Sequence, residues 1–264
     1  MSYNVHIDRD KELLLFQHIL RGQRKENILL IEAPSGLGKT LLLLEYQRLA
    51  SEANVPFAML DLRYVGAAVS EILSTLCEEW AACPFQRFRR HIESFQDLAP
   101  QIDLHGVFQF GRPTIQIALN APDEATRRER RRTLTHALIT DLLEWLSGER
   151  RAVILIDTYN PDLATPALRQ WVEGILLPHV RRSPNLVAVV AGQETPHPSA
   201  MWESACCRLH LSPLDNPDDW MEFVAAKSIS VDRRTVSAFC HAHGGHPVQM
   251  AMRLDALRTW EGDL

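Results

Sequence analysis

The chain has 264 residues, 46% hydrophobic and 23% charged, which suits one large domain or a core with a small appendage, able to bury its own apolar interior. A formal net charge of -5 argues against bulk nucleic-acid binding and leaves room only for a local basic patch. Five cysteines, an odd number without a C-x-x-C pair, suggest neither a disulfide framework nor a zinc ribbon. With no secretion leader and no apolar run near ~18 residues, a cytoplasmic protein without a membrane partner is expected.

In chain order, residues 8–21 place Leu13, Leu14, Phe16, Ile19 and Leu20 at the spacing of an amphipathic helix. Residues 27–31 form a short apolar run of the kind found in buried parallel strands. A polar turn follows, then a leucine-rich helix over 41–50, a second strand over 56–60 and a helix over 69–82. Residues 84–122 break the alternation and read as an insertion. Within it 101–104 and 114–118 alternate apolar and polar, which predicts short half-exposed strands around a turn at 111–113. A long helix is expected over 123–146. Its run 127–132 (RRERRR) reads as a nucleic-acid patch or, the favoured reading, as a solvated helix face beside Asp123, Glu124 and Glu129. Residues 151–157 form a buried strand ending in Asp157, followed by a helix over 166–180 and a strand over 186–191 that runs into Gly192 and Gln193. Residues 208–211 read as the last strand, and from 216 onward the pattern is helical. The chain therefore divides near Pro213 into an α/β core (1–213, with the insertion at 84–122) and a small helical subdomain (214–264).

The turn after the first strand carries the chemistry. Ala33, Pro34, Ser35, Gly36, Leu37, Gly38, Lys39 and Thr40 fit [AG]-x-x-x-x-G-K-[ST] between a strand and a helix, the context that a phosphate-binding loop needs. The glycines let backbone N–H groups curl around phosphate oxygens. Lys39 brings an ammonium to the β and γ phosphates, and Thr40 offers a hydroxyl to magnesium. The helix opening at Leu41 points its positive end at the same place. Asp157, at the tip of a buried strand, is the second magnesium candidate. No acid follows it directly. Thr158, Tyr159 and Asn160 come next, and neither Thr nor Asn is a useful general base. Gln193 is placed to orient water or touch the γ phosphate, and Glu194 is a nearby carboxylate. His241, His243 and His246 invite a zinc reading, but Gly244 and Gly245 fit a helix-ending turn with Pro247 opening the next helix.

Taken together, these segments resemble the STAND class of signal-transduction P-loop NTPases, which are related to AAA+ proteins. The resemblance covers nearly the whole chain. VHIDRDKEL is similar to the box before the loop, with Arg9 in its arginine position. APSGLGKT matches the Walker A motif. VILIDTYN is similar to the Walker B of a bacterial branch ending D-T-Y-E or D-T-F-E, and LVAVVAGQ to its strand ending A-G-R. GGHP matches the G-x-P signature of the helical lid, and LSPL at 211–214 is similar to the lead-in to it.

The resemblance implies an α/β core with strand order 5-1-4-3-2, a lid over the nucleotide, and Pro247, with Pro213 of the lead-in, among the nucleotide-binding residues. It implies ATP or ADP with Mg2+ as ligand, homo-oligomerisation on activation, and a protein partner, effector or sensor. Effector and sensor would then be separate proteins or regions outside this sequence. Asn160 stands where the branch has Glu, and Gln193 where it has Arg. Both losses of charge put hydrolysis in doubt and leave binding intact. The expected activity is a slow ATP-dependent switch. The rivals are a nucleotide-binding scaffold without useful hydrolysis and a DNA-associated AAA+ ATPase, and a nucleic-acid partner is the less favoured one.

Overall fold

Among the described residues five parallel strands form the sheet and, numbered in chain order, they lie across it as 5-1-4-3-2, the expected order. The computed structural model describes residues 9–65, 68–96, 112–146, 150–160 and 162–260. In chain order the elements are α1 (Asp10–Leu20), β1 (Ile28–Glu32), α2 (Lys39–Glu52), β2 (Phe57–Asp61), α3 (Leu62–Val65), α4 (Val69–Glu79), α5 (Gln86–Gln96), α6 (Arg112–Leu119) and α7 (Glu124–Leu146). Then come β3 (Ala152–Asp157), α8 (Pro166–Trp171), a π-helical turn (Val172–Leu176), α9 (Leu177–Arg182), β4 (Leu186–Gly192) and β5 (Cys206–His210). Helices α10 (Pro217–Ala226), α11 (Arg233–His243) and α12 (Pro247–Trp260) close the chain.

The strand period of two sends alternate residues to opposite faces. Ile28, Leu30, Ile154, Ile156, Ala188 and Val190 face the layer built by α4 to α9. Leu29, Ile31, Val153, Leu155, Val187 and Val189 face α1 and α2. At about 1.5–3 kcal/mol for each fully buried aliphatic side chain, this double-sided burial fixes the register of the central strands. β3 and β4 are buried along their whole length, whereas β2 and β5 lie at the edges and are partly exposed. Parallel strands carried on both faces by helices therefore present all their C-terminal ends along one edge.

The insertion corrects one expectation. Residues 114–118, expected as a half-exposed strand, lie within α6, while 101–104 lies outside the described residues. Ile115, Ala118 and Leu119 are buried together at i, i+3, i+4 spacing, the stripe of a helix, and α6 packs on α4 and α5. An alternation of five residues is too short to separate the two periods, and packing decided it. The buried Asp141 of α7 accepts hydrogen bonds from the backbone N–H groups of Arg87 (2.7 Å) and Phe88 (3.0 Å), capping the start of α5 from a neighbouring helix. Pro178 lacks the N–H that a continuous helix over 166–182 would use, and the chain widens there into the π turn.

The three last helices share a cluster of Trp220, Phe223, Val224, Val236, Cys240, Met250 and Leu254. Leu214 belongs to that cluster and Leu211 to the sheet's. Asn216 and Asp232 cap α10 and α11, and Gly244 ends α11 at φ 55°, as the Gly-Gly reading anticipated. No helix among the described residues is long and apolar enough to cross a membrane.

Candidate nucleotide-binding site

The segment 33–40 leaves the tip of β1 and enters α2, with Gly36 at φ 81° and Gly38 at φ 86°. Ala33 is fixed by donating its N–H to the carbonyl of Gly192 on β4 (3.2 Å), and Leu37 is buried beneath the loop. Pro34 and Ser35 are exposed. Lys39 folds back along the loop, its Nζ donating to the carbonyls of Ala33 (2.6 Å) and Pro34 (2.8 Å). Burial pulls its ammonium below the ordinary lysine range, and the charge of Asp157 opposes that shift. Leu41, two residues on, points outward and is 51% exposed.

Asp157 ends β3 and is 1% exposed. Thr40 Oγ1 donates to its Oδ2 at 2.7 Å, and the N–H of Thr158 donates to its Oδ1 at 2.7 Å. Residues 117 positions apart in sequence thus meet at one point. Both of their oxygens are hard donors of the kind Mg2+ takes, beside a loop of left-handed glycines and a lysine, so the residues present fit a magnesium-bound triphosphate.

A second carboxylate stands beside the first. Asp61, the last residue of β2, is in register with Asp157. Its Oδ1 accepts from Thr158 Oγ1 at 3.2 Å, and Arg63 grips it with Nη2 at 2.6 Å. Burial would push the Asp61 carboxyl up, but the hydrogen bonds from Arg63 and Thr158 hold it below its ordinary range. Thr158 itself sits at φ 61°, a left-handed conformation that a β-branched residue adopts only under constraint. Sequence reasoning missed Asp61 because no local motif marks it. Strand register alone brings it to the site.

The tip of β4 is different. Asn160 Oδ1 accepts from the N–H of Gln193 at 2.8 Å, so these two expected catalytic residues are joined to each other. A Cβ at Gly192 would lie 2.0 Å from the carbonyl oxygen of Tyr159, so only glycine permits this close crossing of β4 past the chain leaving β3. Gln193 and Glu194 are exposed.

Two elements clamp the loop from outside. Arg9 donates to the carbonyls of Leu37 (3.3 Å) and Ser212 (2.8 Å), tying the loop to the segment that leads into α10. Pro213 follows Ser212 and is exposed. Pro247 is buried at the start of α12, and the residue before it reaches the loop: His246 Nε2 donates to the carbonyl of Ser35 at 3.1 Å. A Cβ added at Gly36 would lie 2.2 Å from His246 Cε1. Because a carbonyl only accepts, His246 carries its proton on Nε2, and its Nδ1 is buried without a partner. Within this signature it is the histidine that makes the contact with the loop. Among the described residues no group of three metal-ligating side chains occurs, and the zinc reading of the histidines gains no support.

No protein-family profile matches the chain, and no curated protein matches it. Among solved structures it is similar to the crystal structure of Cdc6p from Pyrobaculum aerophilum, at 13% identity and a TM-score of 0.50. The match covers 91% of this chain and 56% of that one, so this chain spans little more than half of that structure's length. At this identity the likeness concerns the fold alone: a five-stranded parallel sheet between helices, followed by a helical C-terminal part.

Proposed function

We propose that the chain binds ATP with Mg2+ at the loop 33–40 and acts as a STAND-type nucleotide switch that controls assembly with a protein partner. The observation that carries this reading is the 2.7 Å hydrogen bond between Thr40 and the buried Asp157, set against the loop of Gly36, Gly38 and Lys39. Lys39 is the cation for the β and γ phosphates, and its two carbonyl partners hold it poised along the loop. Mg2+, when bound, would neutralise charge on the phosphates between Thr40 and Asp157. Thr158 orients the Asp157 carboxylate through its N–H and the Asp61 carboxylate through its hydroxyl. Asp61, kept ionised by Arg63, is a weak proton acceptor, and its role is to position water or the metal's hydration shell.

Switching rests on His246. The lid reaches the loop through a side chain lying against Gly36, so phosphates entering that loop change what the lid touches. With Asn160 and Gln193 neutral and tied together, turnover is slow and the nucleotide state persists until a partner acts.

Hydrogen exchange with and without ATP and Mg2+ tests both parts. Wild type should gain protection over 33–40 and change exchange over 244–252. His246→Ala should keep the first effect and lose the second. Identical exchange with and without ATP would defeat binding, and protection confined to the loop in wild type would defeat the switch.

A further inference from the structure

The arginine run of α7 separates into two sets. Arg127 and Arg131 pair with Glu124, and Arg130 donates to the carbonyls of Ala118 and Asn120, so these three brace the junction of α6 and α7. Arg128 and Arg132 are exposed and have no carboxylate partner among the described residues. They stand one helical turn apart, with His136 one turn further, on a single face of α7. That face forms one wall of a groove of about 940 Å³ whose other wall is the π turn and α9. Arg182 and His179 come from this second wall.

The two walls are joined by a defined histidine pair. His179 Nδ1 donates to the carbonyl of Ile175 (2.7 Å), so its Nε2 accepts from His136 Nδ1–H at 3.2 Å. Burial lowers the pKa of His179 against the bond to Ile175, and Arg132 and Arg182 line the same groove as its ring. Ile175 and Pro178 are buried in the floor of that groove, exposed Met201 and the exposed rings of His91 and His136 line it with the cations, and Glu129 is the one acid among the described residues that line it. Arg128, Arg132 and Arg182, for which no carboxylate partner occurs among the described residues, thus line one trough of a chain whose net charge is -5.

We infer that this groove binds a single-stranded oligonucleotide through its phosphodiester backbone, at a site separate from the phosphate-binding loop. Guanidinium forks match phosphate oxygens. The exposed rings of His91 and His136 offer stacking to base faces, and cations beside flat rings are the pairing by which single-strand binders work. An acidic peptide would satisfy the charges and leave those rings unused. A duplex, convex with its phosphates outermost, does not enter a trough between two helices.

The test is fluorescence anisotropy with the full chain and a labelled twelve-nucleotide oligothymidylate, over a series of KCl concentrations, with and without saturating ATP and Mg2+. Binding should weaken with salt and survive ATP. The double variant Arg128→Ala/Arg132→Ala should weaken binding at least about tenfold and lower the salt slope by about 1.4, the value for two lost contacts to a single strand. Arg127→Ala removes the same charge from the same helix outside the groove and should stay within about twofold of wild type. No binding at low salt, equal loss from Arg127→Ala, or displacement of the probe by ATP, by polyglutamate or by a twelve-base-pair duplex as readily as by unlabelled single strand would each overturn the inference.

Discussion

The carboxyl edge of the sheet has two unlike halves. At the tips of β1, β3 and β2, charged groups are bound into one network: Lys39 along the loop, Thr40 on Asp157, Thr158 between Asp157 and Asp61. At the tip of β4, two neutral residues, Asn160 and Gln193, are hydrogen-bonded to each other. On the proposed reading, the first half supplies the groups that would hold triphosphate and magnesium. The second lacks the charge that phosphoryl transfer draws on at the γ phosphate. Holding a nucleotide and turning it over thus make separate demands on this edge, and substitutions in each half should move different quantities.

The largest effect is expected in the charged half. Lys39→Ala removes the cation at the loop and should weaken ATP binding by about 1.5–3 kcal/mol, roughly 10- to 150-fold, the range for a hydrogen bond to a charged group. Calorimetry checks it, and equal affinity would remove the basis for the phosphate-loop reading.

Next comes the neutral half. Gln193→Arg places a cation at the tip of β4, where the backbone contact to Asn160 uses only the N–H of residue 193 and survives the change. Evolved arginines at such positions are worth ~10³–10⁵, and an unoptimised one is expected to raise turnover about tenfold from a basal rate below ~1 s⁻¹. Unchanged turnover would mean that missing charge at β4 is not what slows the site.

The contrast between the halves also marks how much of the site could be read in sequence. The loop 33–40 and Asp157 were legible because each is a local signal: glycines and a lysine at fixed spacing, an acid ending an apolar run. Asp61 and His246 were not. Asp61 becomes a neighbour of Asp157 only through the pairing of β2 with β3, and His246 meets Ser35 across 211 residues. The strand order followed from family resemblance, while the insertion was misread where five alternating residues suited either period. The arginine run was visible, but which of its members are braced and which are open depended on where Glu124 and the end of α6 fall.

A smaller effect should separate Asp61 from Asp157. Asp61→Asn keeps the shape and removes the charge, and should lower turnover by about three- to tenfold while ATP affinity stays within about twofold, because a group that positions water acts on the reaction more than on the bound ground state. Steady-state assays paired with calorimetry report both. An affinity loss as large as that of Lys39→Ala would place Asp61 among the binding residues instead.

The smallest expected effect on stability carries the finest test of the network. Thr158 holds a left-handed backbone at φ 61°, and such strain costs on the order of 1–3 kcal/mol. Thr158→Gly relieves it. The same change gives up the hydrogen bond to Asp61, about 0.5–1.5 kcal/mol, and adds about 0.5–1 kcal/mol of chain entropy lost on folding. These contributions oppose one another and leave a net change within about 1 kcal/mol, a shift in Tm of no more than about 4 °C for a chain of this size. Turnover should nevertheless fall, by about threefold, because the hydroxyl that orients Asp61 is gone. A near-silent melting curve with slowed hydrolysis would mean that the strain at Thr158 is maintained for the site. A clear rise in Tm with turnover unchanged would mean that the strained residue does nothing for catalysis, and that the link from Asp157 to Asp61 is a consequence of strand register alone.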